Sequence, residues 1–364
     1  MSMNLLEQKI EPDFNGFLKC IRREEEPKRV YFAELFLDPE VVEAVARRFD
    51  IAKGLNPADP FFIPKRDIAL YRFLGYDMFR INLPGFEFPI KLNPAGDDAT
   101  RRDQARASRD WVDERSGPIQ SWDDFERYPW PRVSNVDTRL LEWYEKNLPE
   151  NMAVYELTAH VLENVTWAVG YESLCYMMYD QPDLVEAICA KVGELYLQHA
   201  RLLCQFSRIG VIWGSDDMGF KTQPLLSPEN LRRLILPWHK KIAEAAHASG
   251  KLYFLHACGN LDSIMDDLIG YVKIDAKHSF EDAIEPVTEA KRNYGNRIGL
   301  IGGIDMDILC RGSEGEIRRR VRETLNVCQS DGGYCLGSGN TIANYMPAEN
   351  YLAMLDEGRK YSGL

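Results

Sequence analysis

The sequence predicts an α/β protein, a (β/α)8 TIM barrel with an N-terminal extension and an insertion after strand 2. Three observations predict it. Eight short apolar runs recur along the chain, each ending in polar residues. Amphipathic helical stretches lie between them, and strand–helix alternation repeated eight times suits a parallel sheet closed on itself; a doubly wound sheet usually has fewer strands. The polar residues also gather at the C-terminal ends of the runs, the rim where such barrels keep their active sites.

The runs are RVYFAEL (29–35), DMFRINL (77–83), MAVYELT (152–158), GVIWGSDD (210–217), LYFLHAC (252–258), YVKIDAKH (271–278), IGLIGGID (298–305) and GYCLGSGN (333–340). Among the helices, PDLVEAICAKVGELYLQHARLLCQF covers 182–206 and EGEIRRRVRETLNVC covers 314–328. A third is opened by Ser227 as cap and Pro228 in the first turn, and it stops at Gly250. Residues 1–364 form a single barrel domain in this reading. Residues 84–133 break the repeat: they are charged, rich in turns, and hold Trp111, Trp122 and Trp130. They are expected to form a lid-like insertion over the barrel mouth.

Composition narrows the function. A net charge of −12 argues against nucleic acid, which needs a basic face, and against anionic lipid. The N-terminus MSMNLLEQKIEPDF lacks a basic stretch followed by an apolar run, so no signal peptide is expected there, and no uncharged apolar window approaches the roughly 18 residues of a membrane helix. Eight scattered cysteines in an acidic chain point to reduced thiols in a cytoplasm rather than a disulfide framework. Most, such as Cys189 and Cys204, sit in apolar helical patterns as small buried hydrophobes.

The fifth run ends in KLYFLHACGN (251–260). Residues two apart in a strand share a face, so His256 and Cys258 point the same way while Ala257 turns aside. Imidazole and thiolate are good zinc ligands. The pair alone is a weak signal. Cys335, near the end of the last run, is the candidate third ligand at the same rim. Three protein ligands leave one position open, as in catalytic zinc.

The stretch DDMGFKTQPLLSPENLRRLILPWHKKIAEAAHASGKLYFLHACGN resembles the uroporphyrinogen decarboxylase superfamily. So do IDAKHSFEDAI, IGLIGGIDMDIL and PAENYLAMLDEGRKY, and the likeness runs from about residue 150 to the end. It implies a (β/α)8 barrel. One branch of that superfamily, the corrinoid-dependent methyltransferases, carries His-x-Cys followed far downstream by Cys. His256, Cys258 and Cys335 match in order. The resemblance therefore implies a zinc-dependent methyltransferase that moves a methyl group between a small substrate and the cobalt of a corrinoid. The substrate is a thiol, or a methoxylated or methylated compound. The other branch is tetrapyrrole decarboxylation. It relies on an arginine-rich loop after the first strand, where this chain has EPKRVYFAELFLDPE, with Glu34, Asp38 and Glu40 in place of bases. No Asp-x-His-x-x-Gly stretch is present, so the corrinoid (cobalamin) is expected from a corrinoid-binding partner protein. A homodimer is the base-rate expectation.

Other rim residues are candidates beside plainer readings. Asp217 and Glu156 are expected catalytic carboxylates or further ligands. Glu34, His278 and Asp305 are expected to touch substrate, although His278 suits a structural histidine and Asp305 a helix cap equally well. His239 and His247 read as surface or packing residues, and His160 and His199 carry no signal. The GSG of Gly337–Gly339 lacks the residues of a phosphate loop and reads as a tight turn.

Overall fold

Alternation along the strands sorts side chains into two cores. Val211, Trp213, Leu252, Phe254, Ala276, Ile301 and Cys335 pack together inside the barrel, while Ile212, Tyr253, Leu255, Leu300 and Tyr334 pack outward against the helices. This is the period of two expected of a strand buried on both faces. The structure is a computed structural model that describes residues 6, 8–94, 110–113 and 115–363.

Along the chain, α1 (Phe14–Arg22), α2 (Pro39–Arg48) and α3 (Phe62–Leu74) lead to β1 (Met78–Arg80). The insertion follows, with β2 (Leu92–Pro94), β3 (Asp110–Val112) and α4 (Trp122–Arg127), and then α5 (Arg139–Asn147). Next come β4 (Ala153–Tyr155), β5 (Leu157–Thr158), α6 (Val161–Val169), α7 (Tyr171–Asp180), α8 (Pro182–Leu203) and β6 (Val211–Ser215). Helices α9 (Pro228–Asn230) and α10 (Leu236–Ala248) are joined by a wider turn over Leu231–Ile235 and precede β7 (Leu252–His256). The chain closes with α11 (Met265–Asp267), β8 (Ala276–His278), α12 (Val287–Tyr294), β9 (Gly299–Ile301), α13 (Met306–Arg311), α14 (Glu314–Cys328), β10 (Tyr334–Cys335) and α15 (Ala348–Tyr361).

Strands β5 to β10 form one parallel sheet in sequence order, and β1 pairs parallel with β4. β4 and β5 are pieces of one barrel strand, parted at Glu156, and a Val154–Ile209 bridge joins that strand to its neighbour. Parallel bridges Phe32–Leu336 and Leu37–Ile342 bring the first run beside the last. The eight runs thus stand in ring order, the arrangement of a TIM barrel. No ladder joins the 29–35 run to β1 among the described residues. There the Tyr155 hydroxyl, inside the barrel, donates to the carbonyls of Glu34 (2.5 Å) and Leu35 (3.1 Å).

Helix α1 plugs the N-terminal end of the barrel. Asp13 caps it by accepting from the Gly16 amide, and its Phe17, Cys20 and Ile21 are buried among the inward-facing strand residues. Its stripe of apolar residues would otherwise be solvated. Each large side chain so buried is worth about 1.5–3 kcal/mol.

Two expectations shift. The 29–35 run is extended and held by single bridges rather than a ladder. In the 271–278 run, Tyr271 and Val272 end a wide helical turn, Lys273 takes φ 66°, and the strand starts only at Ala276. In the insertion, β2 and β3 pair antiparallel, with Leu92 opposite Val112. The segment after them is tied to α6 and α7: the Ile119 amide donates to the Ala168 carbonyl (2.9 Å) and Ser173 Oγ to the Arg115 carbonyl (2.8 Å). Residues 95–109, the most charged part of the expected lid, lie outside the described residues. Among the described residues, no helix is long and apolar enough to cross a membrane.

Candidate metal centre and its surroundings

At the C-terminal rim, β7 ends at His256 and the loop after it carries Cys258. The neighbouring β6 ends at Ser215, and its loop carries Asp217. The two loops are locked backbone to backbone. Gly259 takes φ +87° and a Cβ there would lie 2.1 Å from the Gly219 carbonyl carbon, so only glycine fits. The Asn260 amide donates to the Phe220 carbonyl (2.7 Å), and the Cys258 amide to Asp217 Oδ1 (2.9 Å). The Gly-Asn after Cys258 is therefore the clamp that sets the cysteine beside the aspartate.

The result is a cluster. His256 Nε2 lies 3.3 Å from Asp217 Oδ1 and 3.5 Å from Cys258 Sγ. One ligand atom from each residue falls within 4.8 Å of the other two. Asn340 Nδ2 donates to Cys258 Sγ (3.4 Å), and Ser279 Oγ sits 3.3 Å from the same sulfur. Burial pushes the Asp217 carboxyl up, but the His256 side chain and the Cys258 amide pull it net below the usual carboxylate range. Burial, then the Asp217 charge, hold the Cys258 thiol well above its ordinary value. A carboxylate, an imidazole and a sulfur converging on one point form a donor set that fits zinc, whose binding would take the proton from that thiol.

Behind His256, its Nδ1 lies 2.8 Å from Nδ1 of the fully buried His278. Burial, then His256 and Lys277, hold His278 well below its ordinary pKa, so it is neutral. When His256 Nδ1–H donates to the neutral His278 ring, His256 Nε2 is left free to coordinate, and His278 keeps its own proton on Nε2, which is buried without a hydrogen-bond partner among the described residues.

A second buried network holds the loop from the other side. Asp216 accepts from the Leu162 (3.0 Å) and Glu163 (2.9 Å) amides at the start of α6 and faces His239 Nε2 at 2.8 Å. His239 Nδ1 meets the Tyr253 hydroxyl at 2.7 Å. Both Asp216 and His239 are fully buried, so His239 is a brace and not a surface residue. The brace sets Glu163 beside the cluster. Burial, then Asp217 and Asp216, raise the Glu163 carboxyl well above its ordinary range, and it faces His160 Nδ1 at 2.8 Å.

The sequence candidates scatter. His256 and Cys258 come together, joined by Asp217. Cys335 is not brought to them. It is level with Ile301, His278 and His256 in strand register, three strands away. Strands tilted by about 36° at about 4.8 Å spacing drop roughly 8 Å along the axis over three steps. Cys335 thus lies at the plugged end, fully buried, as a free thiol hydrogen-bonded with the free thiol of Cys20. Asn340, five residues on, reaches the cluster instead. Glu34 does not face the mouth either: its carboxyl accepts from the Ser338 amide (2.8 Å) and hydroxyl (2.5 Å), and it is 3% exposed. Asp305 caps α13 by accepting from the Asp307 amide and holds the Asp282 amide with its other oxygen. Glu156 lies in the next cavity along the rim, beside Arg80 and His160. Asn340, Glu163 and His160 were missed. Asn340 had a faint signal, a polar residue ending the eighth run; the other two open a helix and had none.

The uroporphyrinogen decarboxylase family model matches residues 152–361, more than half the chain. No curated protein matches by sequence. Among solved structures, a methyltransferase from Methanosarcina mazei superimposes with a TM-score of 0.69 at 17% identity, covering 96% of this chain and 99% of that one. A B12-independent methionine synthase from Shewanella sp. W3-18-1 in complex with selenomethionine is similar at 11% identity over 92% and 96% of the two chains. Its TM-score of 0.47 is too low to carry weight.

Proposed function

The chain belongs to the uroporphyrinogen decarboxylase family, and on that premise we propose that it is a zinc-dependent methyltransferase. It moves a methyl group between a small substrate and the cobalt of a corrinoid carried by a partner protein in the cytoplasm. The observation that carries this is the convergence of Asp217, His256 and Cys258 on one point at the barrel mouth. One carboxylate and one thiolate balance a dication, the same charge count as the two thiolates the sequence suggested.

Bound there, zinc would act as a Lewis acid on the sulfur or oxygen that gives up or receives the methyl group. The protein's own residues do the rest. Asn340 and Ser279 hydrogen-bond the Cys258 sulfur and draw electron density from it. His278 holds the His256 ring with Nε2 toward the cluster. Glu163, kept protonated, holds a proton at the edge of the cluster for a leaving alkoxide or thiolate. A tetrapyrrole decarboxylase is less well supported. Its many carboxylates need bases at the mouth, and Arg29 is instead paired with Asp77 (2.6 Å).

Purified protein is expected to carry stoichiometric zinc and to change the spectrum of methylcobalamin on adding a thiol, or of reduced cobalamin on adding a methylated donor. Metal-free protein that stays inert in both assays, or carbon dioxide released from uroporphyrinogen, refutes the proposal.

A further inference from the structure

On the far side of His160 from the cluster lies a cavity of about 240 Å³. Phe86, Phe88, Trp167 and Tyr196 supply its aromatic lining, and Phe88 and Tyr196 stack with centroids 5.4 Å apart. Most polar groups on its surface are committed. His160 faces Glu163, His199 Nδ1 meets the Thr158 hydroxyl (2.9 Å), and Asn164 donates to the Tyr196 hydroxyl (2.7 Å).

Two groups on the lining have buried atoms without a partner. Among the described residues no carboxylate pairs with Arg80; its guanidinium stacks on the Phe36 ring, and its buried Nε has no hydrogen-bond partner. Glu156 is 7% exposed, and its Oε2 is buried without a partner. Burial pushes this carboxyl up to about 8, so at neutral pH it carries a proton and can donate. His160 and His199 are held neutral by burial, near 4 and 3. The inner surface therefore offers a fixed cation and a neutral acid, and Glu87 stands at the exposed edge.

Unpaired buried donors call for a ligand that accepts. A guanidinium beside a carboxylic acid O–H matches a carboxylate. Aromatic walls favour a flat ring in offset or edge contact. We propose that this cavity is a binding site for a small aromatic carboxylate, its oxygens on Arg80 and Glu156 and its ring against Phe86, Phe88, Trp167 and Tyr196. The binding stands on the cavity alone; that the bound ring takes part in methyl transfer rests on the function proposed above.

The test is titration of chelator-treated, metal-free protein, followed by calorimetry and tryptophan fluorescence, with benzoate, 4-methoxybenzoate, cyclohexanecarboxylate and benzylammonium. The two aromatic carboxylates are expected to bind and the cation not, with cyclohexanecarboxylate weaker. Arg80→Met should weaken benzoate binding by about tenfold or more, and Glu156→Gln, which still donates, should retain it. Circular dichroism reports whether Arg80→Met folds, and Arg80→Lys provides a second variant that keeps the charge but loses the fork. Benzylammonium binding as tightly as benzoate, or unchanged affinity in folded Arg80→Met, overturns the proposal. Benzoate binding by a protein that transfers no methyl group would count against the function alone.

Discussion

Replacing Glu34 by glutamine should make the protein more stable in base but not in acid. The Glu34 carboxyl is fully enclosed, and burial raises it from 4.5 to about 8, against the opposing pull of the two Ser338 bonds. The folded state therefore keeps a proton that the unfolded chain releases near pH 4.5. Stability from this proton is fully present below about pH 4.5 and is lost as pH rises toward 8. At about 1.4 kcal/mol per unit, the loss has a ceiling of about 5 kcal/mol, and relaxation around the charge should leave about 2–5. Glutamine has the same shape, still accepts the Ser338 amide bond, and cannot ionise. Urea unfolding at pH 5 and pH 8.5 measures the difference directly. Wild type should lose several kcal/mol relative to Glu34→Gln between the two. A gap between the proteins that is the same at both pH values would refute the assignment of a buried neutral acid.

The other expectations concern the rim. Asp216→Ala strands two α6 amides and the His239 ring in a dry interior, and at about 1–3 kcal/mol each should cost about 3–9 kcal/mol in a denaturant melt. Cys258→Ala should abolish zinc binding while Cys335→Ala leaves it intact, by metal analysis of the dialysed proteins; equal loss in both would restore Cys335 as a ligand. His278→Phe should weaken zinc affinity by about 10–100-fold in a chelator competition, with His278→Asn recovering part of it because the amide oxygen can still accept from His256 Nδ1. Gly259→Ala should lower the melting temperature and the zinc affinity together, since both follow from the clamp to Gly219.

How much of this was legible depends on whether a feature is local. Strand alternation, the Ser227 cap, the proline at the start of a helix and helical apolar periodicity act within a few residues, so helices such as Glu314–Cys328 stand where the sequence put them. The pairing of His256 with Cys258 is local too, because residues two apart in extended chain share a face, although Cys258 itself lies in the loop just past β7. Long-range partners were not legible in the same way. Cys335 looked like the third donor because it ends an apolar run, yet strand tilt carries it to the closed end, and the shared carboxylate comes from Asp217 on the adjacent strand. His239 read as a surface or packing residue, because a helical pattern does not say that a buried aspartate follows the strand before it.

The sequence by itself determined the ring of alternating strands and helices, the polar rim, and two neighbouring donors at the end of one strand, because each is a consequence of backbone geometry over short spans. Tertiary structure alone decided which distant groups meet those donors. The tilt of the barrel, the Gly219–Gly259 clamp and the Asp216–His239 brace set distances of a few ångströms between residues far apart in the chain, and coordination and proton transfer depend on those distances.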